Sequence, residues 1–241
     1  MTVTTVLLDL DNTLLGNNMA EFLPPYFAGL TQYLGELANG QDLRQLMSAS
    51  VRAALANQDP TVTNMAAFMA DFTQRLGQPI EIIQPLIEAF YREAYPHLRQ
   101  YTTFRGEAQQ VVQRLLADGY QVVIATNPLF PATAIEQRLE WAGLNGLPYA
   151  LVTTMENSYF CKPNPRYYQE ILAQLGSAPA ATWMVGDDPE NDIAPARAVG
   201  LKTWWVTNPD LPEPPVKPTC DKQGSLADFL AWVEAGGLAG A

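Results

Sequence analysis

Lysine, histidine and cysteine are all scarce in this chain of 241 residues. The lysines are Lys162, Lys202, Lys217 and Lys222, and the formal charge is −11. So acidic a chain argues against a broad nucleic-acid-binding face and against adhesion to anionic membranes. An anionic substrate is still admissible, because a bound divalent cation inverts the field locally. The scarcity lends weight to any lysine found beside a candidate site. A single histidine, His97, excludes paired-histidine metal sites. With no Gly-x-Ser-x-Gly elbow to partner it, a Ser-His-Asp hydrolase is disfavoured, and His97 reads as a polar contact between helices. Cys161 and Cys220 lack metal-ligand spacing and a disulfide framework, which suits a reducing compartment. No apolar run reaches membrane-spanning length, and no basic region precedes an apolar N-terminal stretch, so a soluble cytoplasmic protein is expected.

What is present is an ordinary globular composition, 48% apolar, with its strongest local signal at the start. The run Val3 to Leu8 is apolar and β-branched, and it ends in Asp9-Leu10-Asp11-Asn12-Thr13. In an extended strand, residues two apart share a face, so Asp9 and Asp11 can enter one crevice. Two carboxylates so close demand a cation or a proton between them. Thr13 reads as a turn hydroxyl.

About eighty residues of helical pattern follow. Met19 to Ala38 has helical spacing, with Pro24-Pro25 expected in a first turn or splitting the segment. Asp42 to Asn57 is a second helix, Thr61 is the expected N-cap of a third running to Leu76, and Pro79 opens a fourth reaching about Leu98. Four helices without an intervening strand read as a small bundle. The pattern then alternates. Helices are expected over Glu107–Asp118, Ala132–Trp141, Pro165–Leu175, Ile193–Val199 and Ser225–Glu234. Strands are expected over Tyr120–Ala125, Tyr149–Thr153, Thr182–Val185 and Lys202–Val206, and Asn208 to Pro218 is expected to be an irregular loop. Near-continuous apolar strands alternating with helices imply a doubly wound parallel α/β sheet covered on both faces. The expected organisation is an α/β core of residues 1–16 and 101–241, with a helical domain of residues 17–100 inserted after the first strand.

Ligands of such sheets bind beyond the carboxyl ends of the strands, where the winding reverses. Those ends carry Asp9 and Asp11, Thr126-Asn127, and Asp187-Asp188, with Lys162 in the loop before the Pro165 helix. Alone, Lys162 would read as a solvated loop residue. Together the set suits phosphoryl transfer: carboxylates for Mg²⁺, and a hydroxyl, an amide and an ammonium for phosphate oxygens. Trp204-Trp205 and Tyr167-Tyr168 read as packing aromatics, and Cys161 as a small packing residue. Asn17, Asn18 and Glu21 fall where contacts to a substrate are plausible.

Four motifs in order resemble those of the haloacid dehalogenase-type hydrolase superfamily: Asp9-Leu10-Asp11-Asn12-Thr13, Ala125-Thr126-Asn127, Cys161-Lys162-Pro163 and Gly186-Asp187-Asp188-Pro189-Glu190-Asn191-Asp192. The resemblance covers the α/β portion, a Rossmann-like core in that superfamily, and the helical insertion matches the place of its four-helix cap. It implies that Asp9 is the nucleophile and a Mg²⁺ ligand. Asp11 would be the general acid/base, its backbone carbonyl on the metal. Thr126, the Asn127 amide and Lys162 would bind the phosphoryl group, and Asp187 would ligate Mg²⁺. Asp192 would be an outer or water-mediated carboxylate, with Asp188 a less defined neighbour of the same kind. The dehalogenase branch lacks the second aspartate, so Asp11 favours phosphate ester hydrolysis. The phosphonate branch needs a cap lysine, and none lies between Gly16 and Gln100. Asn12 stands where glycine is commoner. The implied function is a Mg²⁺-dependent phosphatase of a small phosphorylated metabolite. A phosphomutase shares every motif, and a non-catalytic phospho-ligand-binding module is the reading of another class. A response-regulator receiver is set aside, being about half this length and without a helical insertion. The substrate and the oligomeric state stay open.

Overall fold

The computed structural model describes residues 3–208 and 214–240, and these form eight strands and nine helices. Strand β1 (Thr5–Leu8) lies inside a six-stranded parallel sheet with β4 (Gln121–Ile124), β5 (Leu151–Val152), β6 (Thr182–Gly186), β7 (Lys202–Val206) and β8 (Lys222–Gly224), in the order β5-β4-β1-β6-β7-β8. The chain winds outward first to one side of β1, through β4 and β5, and then to the other through β6, β7 and β8. The reversal therefore falls at β1.

Both faces of the sheet are covered, as alternating residues of β1 record. Val6 and Leu8 join a core with Val111 and Leu115 of α5 (Gly106–Ala117) and Phe229 of α9 (Leu226–Glu234). Leu7 points the other way, into a core with Tyr167, Tyr168 and Ile171 of α7 (Pro165–Leu175) and Ala196 of α8 (Ala194–Ala198). The paired tyrosines and tryptophans are buried, as expected of packing residues. The doubly wound α/β expectation holds.

Two short strands, β2 (Leu15–Asn17) and β3 (Thr102–Phe104), pair antiparallel at the entry and exit of the long helical segment. Between them lie α1 (Met19–Leu34), α2 (Leu43–Leu55), α3 (Asn64–Leu76) and α4 (Ile80–Glu93). Helix α1 runs unbroken through Pro24 and Pro25, contrary to expectation. Pro24 is exposed, so the carbonyl it leaves unpaired can meet water, while Phe22, Tyr26, Leu30 and Leu34 hold the opposite face buried. The N-cap of α3 is Thr63, not Thr61. Thr61 is claimed by a turn, because its amide and hydroxyl both donate to Asp59 Oδ1 at 2.9 and 2.7 Å. Helix α4 stops at Glu93, short of Leu98, and a 3₁₀ segment Tyr95–Tyr101 containing Pro96 follows. His97 is exposed there, on the 3₁₀ segment and not at a helix–helix contact among the described residues. The strand expected over Tyr149–Thr153 shortens to Leu151–Val152. Of the loop expected from Asn208 to Pro218, residues 209–213 lie outside the described residues, and 214–218 carry neither helix nor strand.

Candidate active site

Strand register brings the predicted residues to one rim. Leu8 is level with Ile124 of β4 and with Val185 of β6. The chain therefore leaves all three strands at the same height, at Asp9, at Ala125-Thr126 and at Gly186-Asp187. The Asp9 amide donates to the Val185 carbonyl at 2.9 Å and the Ala125 amide to the Leu8 carbonyl at 2.8 Å, extending the ladder to the edge of the site.

Lys162 is the hub of this rim. Its ammonium, 2% exposed as a residue, donates to Asp9 Oδ1 at 2.8 Å and to Asp192 Oδ1 at 2.6 Å. Asp187 joins them: one carboxylate oxygen each of Asp9, Asp187 and Asp192 lies within 4.8 Å of the others. Asp187 accepts a hydrogen bond from the Thr13 hydroxyl at 3.1 Å, and its carbonyl accepts one from Trp205 Nε1 at 2.9 Å. Asp192 Oδ2 accepts from the Asp188 amide at 3.1 Å. The carboxylate of Asp192 lies against the backbone of Gly186, where any Cβ would collide with it.

The electrostatics follow from burying three carboxylates around one ammonium. Burial, and then repulsion from Asp192, push the Asp9 carboxyl well above its ordinary range in spite of Lys162. Burial raises Asp192 as well, partly offset by Lys162. Asp187 is pushed up to about 7, by burial first and by Asp192 second. Burial alone would lower Lys162, but Asp192 and Asp9 outweigh it and hold the ammonium protonated. The cluster thus has more negative charge than its one lysine balances, and all of its donors are hard oxygens. That donor set fits a divalent cation such as Mg²⁺.

The loop after β4 is held from below. The Thr126 carbonyl accepts from Tyr167 Oη at 2.9 Å and from Thr153 Oγ1 at 2.8 Å. In a trans peptide the N–H points opposite the C=O, so this grip turns the Asn127 amide away from Tyr167 and Thr153. Tyr168 Oη braces the fourth motif by donating to the Asn191 carbonyl at 2.7 Å. Thr126 is buried, and Asn127 Oδ1 is buried without a hydrogen-bond partner.

Asp11 and Asp188 stand apart from the cluster. Asp188 caps the turn Pro189–Ile193, its Oδ1 accepting from the Glu190 and Asn191 amides at 2.8 and 3.0 Å. Its carboxylate is therefore spent on the turn. Asp11 accepts from Asn17 Nδ2 on Oδ1 at 2.9 Å and from Arg138 Nη1 on Oδ2 at 2.7 Å. Asn12, at a φ of 64°, occupies the left-handed region that asparagine tolerates, and its Oδ1 accepts from the Asn17 amide at 3.0 Å. Asn18 and Glu21 are accounted for locally: Asn18 caps α1 and its Nδ2 donates to Glu21 at 3.0 Å. Arg138 was not foreseen. The signal was its position on the apolar stripe of α6 (Ala132–Trp141), between the buried Ile135 and Leu139.

A model of the haloacid dehalogenase-like hydrolases matches residues 3–200. The chain belongs to that family. It is 30% identical over 183 residues to a phosphoserine phosphatase of Thermus thermophilus, covering 71% of this chain and 70% of that protein. It is 24% identical over 207 residues to the pyrophosphatase PpaX of Bacillus cereus, covering 86% of this chain and 84% of that one. Among solved structures, an HAD phosphatase from Thermococcus onnurineus matches with a TM-score of 0.60 at 19% identity, over 96% of this chain and 98% of that chain. A 2-haloacid dehalogenase from Pseudomonas syringae pv. Tomato matches at 0.66 and 23%, over 97% and 99%. At those identities the structural likeness speaks for the fold alone.

Proposed function

We propose that the chain is a Mg²⁺-dependent phosphatase that hydrolyses a small phosphorylated metabolite through an aspartyl-phosphate on Asp9. The observation that carries this reading is the Lys162 hub, which binds Asp9 and Asp192 beside a second aspartate, Asp11, whose carboxylate is held separately. A dehalogenation needs no proton donor, whereas an alkoxide leaving group does. The phosphoserine phosphatase and the pyrophosphatase among the relatives support hydrolysis at phosphorus. Residues 1–16 and 101–241 would form the catalytic core, and residues 17–100 a cap over it.

Asp9 attacks phosphorus as the ester P–O bond breaks. The leaving oxygen keeps the bonding pair and takes the proton from Asp11. Asp11, now ionised, removes a proton from water as the water oxygen attacks the same phosphorus. The Asp9–phosphorus bond breaks, inorganic phosphate leaves, and Asp11 is again protonated. Lys162 orients Asp9 and neutralises the phosphoryl group, with the Thr126 hydroxyl and Asn127 amide on its oxygens. When bound by Asp9, Asp187 and the Asp11 carbonyl, with Asp192 alongside, Mg²⁺ supplies positive charge to a dianionic substrate.

The test is phosphate release from a panel of sugar phosphates, nucleotides and phospho-acids with Mg²⁺. Release is expected for a subset of the panel and is expected to vanish in Asp9→Ala. Turnover persisting in that variant would remove Asp9 as nucleophile. Isomerised substrate in place of free phosphate would indicate a mutase.

A further inference from the structure

Arg138 is a costly side chain to bury unless it acts on Asp11. It is 0% exposed in the middle of α6, on a face otherwise made of Ala134, Ile135, Leu139 and Trp141. Its guanidinium lies 3.9 Å from the ring centroid of Phe130 and 5.0 Å from that of Phe22. Nε donates to Tyr95 Oη and Nη1 to Asp11 Oδ2, while Nη2 is buried with no partner. A methionine would fill the slot between the two rings without desolvating a charge or burying the unpartnered Nη2, at the cost of the bond to the Tyr95 hydroxyl. Beyond packing, the arginine contributes two bonds, Nε to Tyr95 and Nη1 to Asp11, and only the second reaches a residue of the rim.

That bond completes a two-point clamp. Asn17, 1% exposed on β2, takes one oxygen of Asp11 and Arg138 takes the other, yet the Asp11 side chain keeps 21% of its surface accessible. Arg138 is set in turn by residues of the inserted helical segment, Phe22 on α1 and Tyr95 after α4, and by Phe130 in the loop beyond Asn127. We propose that Arg138 is a positioning residue, which holds the Asp11 carboxylate in the orientation that delivers a proton to the leaving oxygen and transmits the seating of the helical segment to it. The inference rests on the reading of Asp11 as the acid given above.

Leaving groups separate this role from packing. An alkyl phosphate needs its leaving oxygen protonated, whereas p-nitrophenyl phosphate expels a stable anion. In the full chain with Mg²⁺, kcat/KM on both esters reports the steps up to leaving-group release. Asp11→Asn is expected to lower the alkyl-to-aryl ratio. Arg138→Met is expected to lower it about tenfold or more, with a smaller fall on the aryl ester alone. Arg138→Lys is expected to recover part of the ratio, and Arg138→Met is expected to change it no further in the Asp11→Asn background. Equal losses on both esters, or a further fall of the ratio in that background, would overturn the proposal. Should Arg138→Met fail to fold, Tyr95→Phe decides: a smaller fall of the ratio supports the clamp, and an unchanged ratio overturns it. If Asp11→Asn itself leaves the ratio at the wild-type value, the acid role fails and takes this inference with it. A lowered ratio there with an intact one in Arg138→Met defeats the inference alone.

Discussion

Lys162 shows how much a single residue's surroundings decide. On an exposed loop it would be an ordinary solvated cation. Buried between Asp9 and Asp192, it becomes, among the described residues, the one fixed positive charge facing three carboxylates. It was legible because lysine is so rare here and because three other motifs accompany it at strand ends. Arg138 was not, since the pairing that explains it crosses 127 positions and no local pattern announces a partner that distant. Asn17 is an intermediate case: its place after the first motif suggests a contact to substrate, but its contact is Asp11 itself.

The excess of negative charge has a measurable consequence. The Asp187 carboxyl rises in the fold from an ordinary 3.8 to about 7. Through that window the metal-free fold binds more protons than the unfolded chain, so its stability falls as pH rises. Thermal unfolding in chelator is therefore expected to show a lower Tm at about pH 8 than at about pH 5. The proposed Mg²⁺ would bind the ionised carboxylates, so its addition should raise Tm more at the higher pH. Asp187→Asn should flatten both trends. A Tm that ignores Mg²⁺ at either pH would deny the cluster its cation.

Elements carry the site into register, and their ends matter more than their middles. The turn Pro189–Ile193 presents Asp192 to Lys162, and Asp188 organises it by accepting two of its amides. Asp188→Ala is expected to cost about 1 kcal/mol in urea unfolding, as loss of an N-cap does, and to lower turnover by displacing Asp192. Asp188→Asn, which keeps a side-chain acceptor, should retain most of both. No loss on Asp188→Ala would contradict the assigned role.

Element type was readable from periodicity, and the ends were read less well. Thr61 and Thr63 are equally good caps on composition, and only the Asx turn at Asp59 distinguishes them. The prolines of α1 are tolerated because a deep aromatic face, Phe22 and Tyr26, keeps the helix seated. Strands β2, β3 and β8 leave no signal in the sequence because three residues give no alternation, and Lys222-Gln223-Gly224 has no apolar member. Their pairing is supplied by neighbours already in place.

At the scale of the molecule, topology followed from motif order. Parallel strands put all their carboxyl ends on one rim, so four motifs at successive ends had to converge. The seam between helical segment and core is less legible, because many of the hydrogen bonds across it end on main-chain carbonyls, which any sequence possesses. The Asn64 amide donates to the Ser158 carbonyl at 2.9 Å, the Met65 amide to Met155 at 2.8 Å, and Asn57 Nδ2 to Tyr159 at 3.2 Å. Arg166 returns a bond to the Gln58 carbonyl at 3.1 Å. The helical segment also reaches the loops carrying Asn127 and Lys162, through Asn64 Nδ2 to the Pro128 and Phe160 carbonyls at 3.4 and 3.3 Å, and the stretch carrying Asp11 through Asn17.

The proposed mechanism requires a covalent phosphoryl group on Asp9. The direct measurement is mass analysis of acid-quenched Asp11→Asn during turnover of an aryl phosphate with Mg²⁺, where slowed hydrolysis should let the intermediate accumulate. The expected result is one added phosphoryl group on the peptide containing Asp9. Continued turnover with that peptide unmodified, or a phosphoryl group on another residue, would contradict the account.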